Sequence, residues 1–213
     1  MYVPRSFEEN DTEVLHGFIA RHPLATLVTM DGDELCADHI PMLLSRTGGG
    51  DKVLQGHVAR GNPLWRRIGA YTNVLAVFQD PGLYITPSWY ASKAETHKVV
   101  PTWNYIAVHA SGHARIVDDP SWLRAFLGRL THANESHRTQ PWQLADAPAD
   151  YITSQLKAIV GIEISVARLV GKWKVSQNRL PKDIDGVVTG LLAQGDPDAV
   201  RIAGAVSERR PGT

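Results

Sequence analysis

Between Tyr84 and Tyr105 the chain concentrates side chains suited to ligand chemistry more densely than in any other stretch. Tyr84, Trp89, Tyr90, Trp103 and Tyr105 supply flat rings, Lys93 and Lys98 supply cations, and Thr86, Ser88, Thr102 and Asn104 supply donors and acceptors. Rings stack on a planar ligand, ammonium groups grip an anion, and hydroxyls and amides orient polar edges, a mixture typical of a pocket. A core avoids such a mixture, because each buried hydroxyl or amide left unpaired costs about 1–3 kcal/mol. The competing reading is structural, since tyrosine and tryptophan also populate ordinary strands and subunit interfaces. A second dense run, Lys172-Trp173-Lys174-Val175-Ser176-Gln177-Asn178-Arg179, again brings cations, an indole and amides together. It could close a phosphate site, or form a polar loop on a solvated face.

Other chemistries find less support. His109 and His113 are four apart but fall in a predicted strand containing Gly112, which removes the helical two-histidine arrangement of a zinc site. No nucleophile elbow, Walker loop or dinucleotide fingerprint occurs, so neither a hydrolase nor a nucleotide triphosphatase is expected. Cys36 is the single cysteine, which excludes an internal disulfide framework and cysteine-built metal sites and fits a reducing compartment. Lys plus Arg and Asp plus Glu each number 22, so the chain as a whole has no bias toward nucleic acid or membrane. Met1–Ser6 lacks the apolar run of a signal peptide, and no stretch has the length to span a bilayer as a helix; the expected location is cytoplasmic.

The elements that must position these residues follow from period and punctuation. Asn10 and Asp11 can cap a helix with Val14, Leu15, Phe18 and Ile19 on one face, ending at His22-Pro23. Leu24–Met30 and Glu34–Ser45 read as a hairpin around Asp31-Gly32, with Pro41 marking an edge or bulge. Gly48-Gly49-Gly50 reads as a flexible hairpin loop leading to a strand over Lys52–Val58, then a short helix from Asn62-Pro63 through Ile68. Val74–Gln79, Leu83–Thr86 and Thr102–Val117 are further strands, the last bent at Gly112. Asp118 or Asp119 caps a helix whose buried stripe is Leu123, Phe126, Leu127 and Leu130, and Asp150–Gln155 is helical. Ala158–Val170 is the last strand, ended by Gly171, and a helical tail from about residue 180 is divided near Gly195-Asp196-Pro197. Consecutive antiparallel strands with few crossovers imply one mainly β domain over residues 1–213, a barrel with peripheral helices.

The chain resembles the PaiB-type family, described as FMN-binding negative transcriptional regulators. The resemblance lies in Met1-Tyr2-Val3-Pro4, Phe7–Asp11, Ala25–Thr29, Gly56–Arg60 with Asn62-Pro63, Tyr84–Tyr105, Asp118-Asp119, Asp150–Ile152, Ala158–Gly161 and Gly171–Arg179. It implies an antiparallel split β-barrel, a homodimer with two FMN sites at the subunit interface, and a repressor role. Bound FMN needs a cationic grip for its phosphate, partners for its pyrimidine edge and an aromatic wall. Arg60, Lys93 and Lys98 are candidates for the phosphate, against a solvated-loop reading for Arg60. Thr26, His39 and His57 could face the flavin from strands, although a lone strand histidine is more often structural. Trp89, Thr102, Trp103 and Asn104 are the stronger choices, and Lys174, Gln177 and Arg179 come from a late segment that in such folds reaches the cofactor across the dimer.

No catalytic residue and no metal ligand is assigned. A DNA reader should present a recognition helix or a basic face. Here only Arg66-Arg67 and the Lys172–Lys182 cluster are locally basic. An FMN-dependent oxidoreductase and a haem-handling split barrel, the latter suggested by 9 histidines, stay open as alternatives.

Overall fold

The computed structural model describes residues 1–46, 52–69 and 72–211. The glycine run 48–50, expected to be a flexible loop, lies outside the described residues. After a 3-10 turn at Arg5–Phe7 come β1 (Glu8–Glu9) and α1 (Thr12–Arg21). Asp11 caps α1, its Oδ1 accepting from the Glu13 and Val14 amides at 2.8 and 3.3 Å. β2 (Leu24–Asp31) and β3 (Glu34–Pro41) form the expected hairpin, with Gly32 in the left-handed region at φ 58°.

The single strand expected over Glu34–Ser45 is two strands. β4 (Leu43–Arg46) leaves β3 and pairs with β5 (Lys52–Ala59). Pro41 has no N–H for the ladder, and the amide of buried Met42 turns to the Pro23 carbonyl at 2.8 Å, so the chain changes partner at this point. Then follow α2 (Leu64–Arg67), β6 (Thr72–Gln79), β7 (Leu83–Ile85), α3 (Ser92–Thr96), β8 (Thr102–Val117), α4 (Pro120–Glu135), α5 (Ala149–Lys157), β9 (Ile159–Lys174), α6 (Pro181–Gln194) and α7 (Pro197–Glu208). The hydrogen-bonded order is β3-β2-β6-β8-β9-β5-β4, with β1 on β9 and β7 on β8. This is a mainly antiparallel sheet that is not closed: a split barrel with peripheral helices.

Gly171 does not end the last strand, which runs on to Lys174. β1 supplies the partner, pairing Glu8 with Lys172 and Glu9 with Gly171. A Cβ at Gly171 would lie 2.9 Å from the Glu9 carbonyl oxygen and collide with Leu15, so the glycine admits β1. Gly112, expected to bend β8, likewise serves a close approach, since a Cβ there would strike the Ser165 carbonyl.

The chain forms two compact units. One comprises residues 1–15, 79–108 and 170–213. Its core includes Ile184, Val187 and Leu191 of α6 and Ile202, Ala203 and Val206 of α7. Buried Asp80 receives the Arg201 guanidinium at 2.8 Å and the Ile106 amide at 3.0 Å, which ties α7 to β8. Glu9 accepts from Arg209 and from the Asp11 amide. The other unit comprises residues 16–78 and 109–169. Leu123 of α4 packs with Ile152 and Leu156 of α5, joined by Trp122, Leu127, Leu144 and Ile159. Beneath α4, Glu163 accepts from Gln55 Nε2 at 2.7 Å and from Arg115 Nε at 2.9 Å, while Arg129 donates to Gln55 Oε1 at 2.7 Å. Both ends of the buried Gln55 amide and both oxygens of buried Glu163 thus have partners, which is what their burial demands. No helix among the described residues is long and apolar enough to cross a membrane.

Candidate functional site

Six of the residues singled out by type and spacing meet in the first unit, where the start of β8 lies beside the end of β9. Lys174 donates from Nζ to Thr102 Oγ1 and, at 2.6 Å, to the Trp103 carbonyl. Among the described residues no carboxylate pairs with it. Burial holds the Lys174 ammonium below its ordinary pKa, and the charges of Lys172 and Arg179 push in the same direction. Lys172 and Arg179 are therefore both close enough to Lys174 to repel its charge. Lys172 itself lies 5.2 Å from the Tyr105 ring centre and donates to the Tyr2 carbonyl at 3.2 Å.

The segment after β9 is locked into shape by the other members of the set. Asn104 is fully buried; its amide nitrogen donates to Ser176 Oγ at 2.9 Å, and that hydroxyl returns a bond to Asn104 Oδ1 at 3.1 Å. The pair holds Ser176 at φ 65°, a left-handed conformation uncommon outside glycine and asparagine. Gln177 folds back on the same loop, accepting from the Val175 amide at 2.9 Å and donating to the Trp173 carbonyl. Asn104 and Gln177 thus position the loop, and the loop delivers Arg179. The Arg179 guanidinium lies over the Tyr90 ring, 4.8 Å from its centre, with no carboxylate partner among the described residues. Trp103 and Tyr84, 57% and 48% exposed, meet edge to face at 6.2 Å and give this cationic patch an open aromatic wall.

Tyr90, Lys172 and Ser176 were visible in the dense stretches but not distinguished by type alone. Tyr90 is 2% exposed, and its hydroxyl has no hydrogen-bond partner. Burial pushes its phenol pKa up, and Arg179 draws it back. Trp89 lies against α6: a Cβ at Gly186 would strike its carbonyl and one at Gly190 its indole. Lys93 is exposed and donates to Ser88 Oγ at 3.1 Å, and Lys98 is exposed on the loop before β8.

The remaining candidates belong to the second unit. Arg60 is taken up by Asp118 in a two-pronged pair at 2.9 and 2.6 Å and by the carbonyls of Lys157 and Ile159. That pairing holds the Asp118 carboxyl below and the Arg60 guanidinium above its ordinary pKa. Thr26 and His39 stand directly opposite each other on β2 and β3. His57 is half-buried against Phe126, its Nδ1 unpartnered, and burial lowers its pKa. No group of three His, Cys, Asp or Glu among the described residues could hold a metal ion.

The open antiparallel sheet with its flanking helices defines a split barrel. It aligns with the FAD and haem binding protein from Mycobacterium smegmatis at a TM-score of 0.60, 18% identity, covering 84% of this chain and 78% of that one. The flavocytochrome Anf3 from Azotobacter vinelandii aligns at 0.56, 16% identity, covering 81% and 72%. A family model described as "Putative FMN-binding domain" matches residues 1–168, and "Protease synthase and sporulation protein PAI 2" of Bacillus subtilis is 32% identical over 209 residues, 98% of each chain. The chain belongs to this FMN-binding, PaiB-type family.

The site's donor set fits the cofactor. FMN combines a phosphate, needing cations without competing acids, with a planar ring system needing an aromatic wall. Lys172, Lys174 and Arg179 with Trp103 and Tyr84 supply both.

Proposed function

We propose that the protein is a homodimeric FMN-binding regulator of the PaiB type, acting in the cytoplasm, in which Lys174 and Arg179 grip the FMN phosphate and Trp103 flanks the ring system. The carrying observation is Lys174, held by Thr102 and the Trp103 carbonyl with no carboxylate partner among the described residues and beside the charges of Lys172 and Arg179, a repulsion that an arriving phosphate would relieve. Thr102 and the Trp103 carbonyl orient the Lys174 ammonium, leaving one of its three N–H bonds for the anion. Bound flavin supplies electron-transfer chemistry; the chain supplies binding and orientation. The repressor role is supported by family membership alone, because 22 basic and 22 acidic residues leave no net charge that favours nucleic acid.

The test is a titration of the purified protein with FMN, followed by flavin fluorescence. Saturation near one FMN per chain is expected, and Lys174→Ala, Arg179→Ala or Trp103→Ala should each weaken binding about tenfold, the loss of one charge-assisted hydrogen bond or stacked ring. Unchanged affinity in all three variants, with native circular dichroism, would remove the site from this cluster. The regulator claim is checked separately by DNA binding with and without FMN. A sequence-selective complex that weakens steeply with salt supports it, and none at low salt overturns it.

A further inference from the structure

The Tyr90 hydroxyl is a buried donor without an acceptor. Its ring is 2% exposed, and no group accepts the hydroxyl proton. The nearby guanidinium of Arg179 does not resolve this, because a guanidinium only donates, so the phenolic proton still has nowhere to go. Asp183 is the acid close enough to act on Tyr90, and both of its oxygens are engaged, accepting from the Ser92 amide at 2.9 Å and the Ser92 hydroxyl at 2.8 Å. Tyr84 also acts on the same phenol, and Arg179 acts on Lys174. Tyr90 is therefore joined to the Lys174 cluster through the Arg179 guanidinium that covers its ring, and its own proton is free.

Buried donors are almost always satisfied, and an exception calls for a partner that comes and goes. Donors gathered with cations and without a free acid select an anion. Arg179 is free of an acid that would fix it: no carboxylate among the described residues holds its side chain, which lies over the Tyr90 ring. We propose that Tyr90 is a phosphate-reading residue, donating its hydroxyl proton to the FMN phosphate once Arg179 has turned from the ring face to the same anion. This rests on the FMN reading above and adds to it a specificity: the pair distinguishes FMN from the same flavin without phosphate.

The experiment compares FMN with riboflavin on wild type and on Tyr90→Phe, with thermal unfolding of the ligand-free proteins alongside. For Tyr90→Phe the FMN dissociation constant should rise about tenfold while that for riboflavin stays within about twofold. Ligand-free Tyr90→Phe should melt no lower than wild type, because an unsatisfied donor has been removed. Equal changes for both flavins, an unchanged FMN constant, or a lower ligand-free melting temperature would each overturn the proposal and make Tyr90 structural. Arg179→Gln gives a second reading through the same preference for FMN over riboflavin, which it should also reduce. Wild type that binds neither flavin would overturn the FMN reading itself, whereas tight FMN binding with an indifferent Tyr90→Phe removes Tyr90 alone.

Discussion

Lys174, Arg179 and Trp103 are proposed for the site because of what surrounds them, and surroundings act on His57 with an opposite outcome. Half-buried against Phe126 with an unpartnered Nδ1, the His57 ring resists protonation, and its pKa lies below the ordinary 6.5. Between those two values the unfolded chain binds a proton that the folded chain refuses. Stability is therefore full above about pH 6.5 and falls as pH drops through that window, at a slope of up to one proton. Urea unfolding from pH 8 to pH 5 should show this decline in wild type and a flatter profile in His57→Gln; identical profiles would mean that His57 titrates alike in both states. The cationic run 172–179 was legible because charge and aromaticity are properties of residue type. Two things were not. The capture of Arg60 by Asp118 joins positions far apart in sequence, and the singular feature of Tyr90 is the absence of a partner, which only three-dimensional packing reveals.

The elements show where punctuation in the sequence is reliable and where it misleads. Gly186 and Gly190 lie on α6 where Trp89 crosses it, and a methyl group at Gly186 would drive into the Trp89 backbone. Gly186→Ala should therefore cost about 1–3 kcal/mol in denaturant unfolding despite the better helix propensity of alanine. Gly204 is the contrast: it is exposed on α7 with nothing near its missing Cβ, so Gly204→Ala should gain up to about 1 kcal/mol. Equal effects at the two sites would show that helix propensity, not the Trp89 contact, governs both. Capping aspartates with a following proline marked α4 and α7 correctly, because such caps act over three or four residues, whereas α6 starts at Pro181 without a side-chain cap. Gly171 was misread as a stop since a glycine that terminates a strand and one that admits a neighbouring strand look identical without β1 beside it. α3 escaped notice because Ser92–Thr96 has no apolar stripe; it is fastened by Ser92 to Asp183, a partner ninety-one residues away.

At the scale of the whole molecule, the outer face of the β2–β3 hairpin bears on assembly. The register sets Leu24 opposite Pro41, Thr26 opposite His39, Val28 opposite Ala37 and Met30 opposite Leu35, all on the face away from buried Ala25, Leu27 and Ile40. Leu35 is 71% exposed, Leu24 59% and Met30 46%, and β3 ends the strand order. An edge hairpin whose outer face carries exposed apolar residues on either side of one polar pair invites a partner, and in a symmetric pair the same patch serves both copies. The proposed homodimer would use this face, with Thr26 and His39 at its centre. A charge at Leu35 would be buried without a counter-ion in that interface, yet would be solvated in a free subunit, so Leu35→Glu separates assembly from folding. Light scattering should give the mass of a dimer for wild type and of a monomer for Leu35→Glu, with circular dichroism unchanged. A variant that stays dimeric would move the interface elsewhere. A wild type that is monomeric at high concentration would mean that each chain binds its flavin alone.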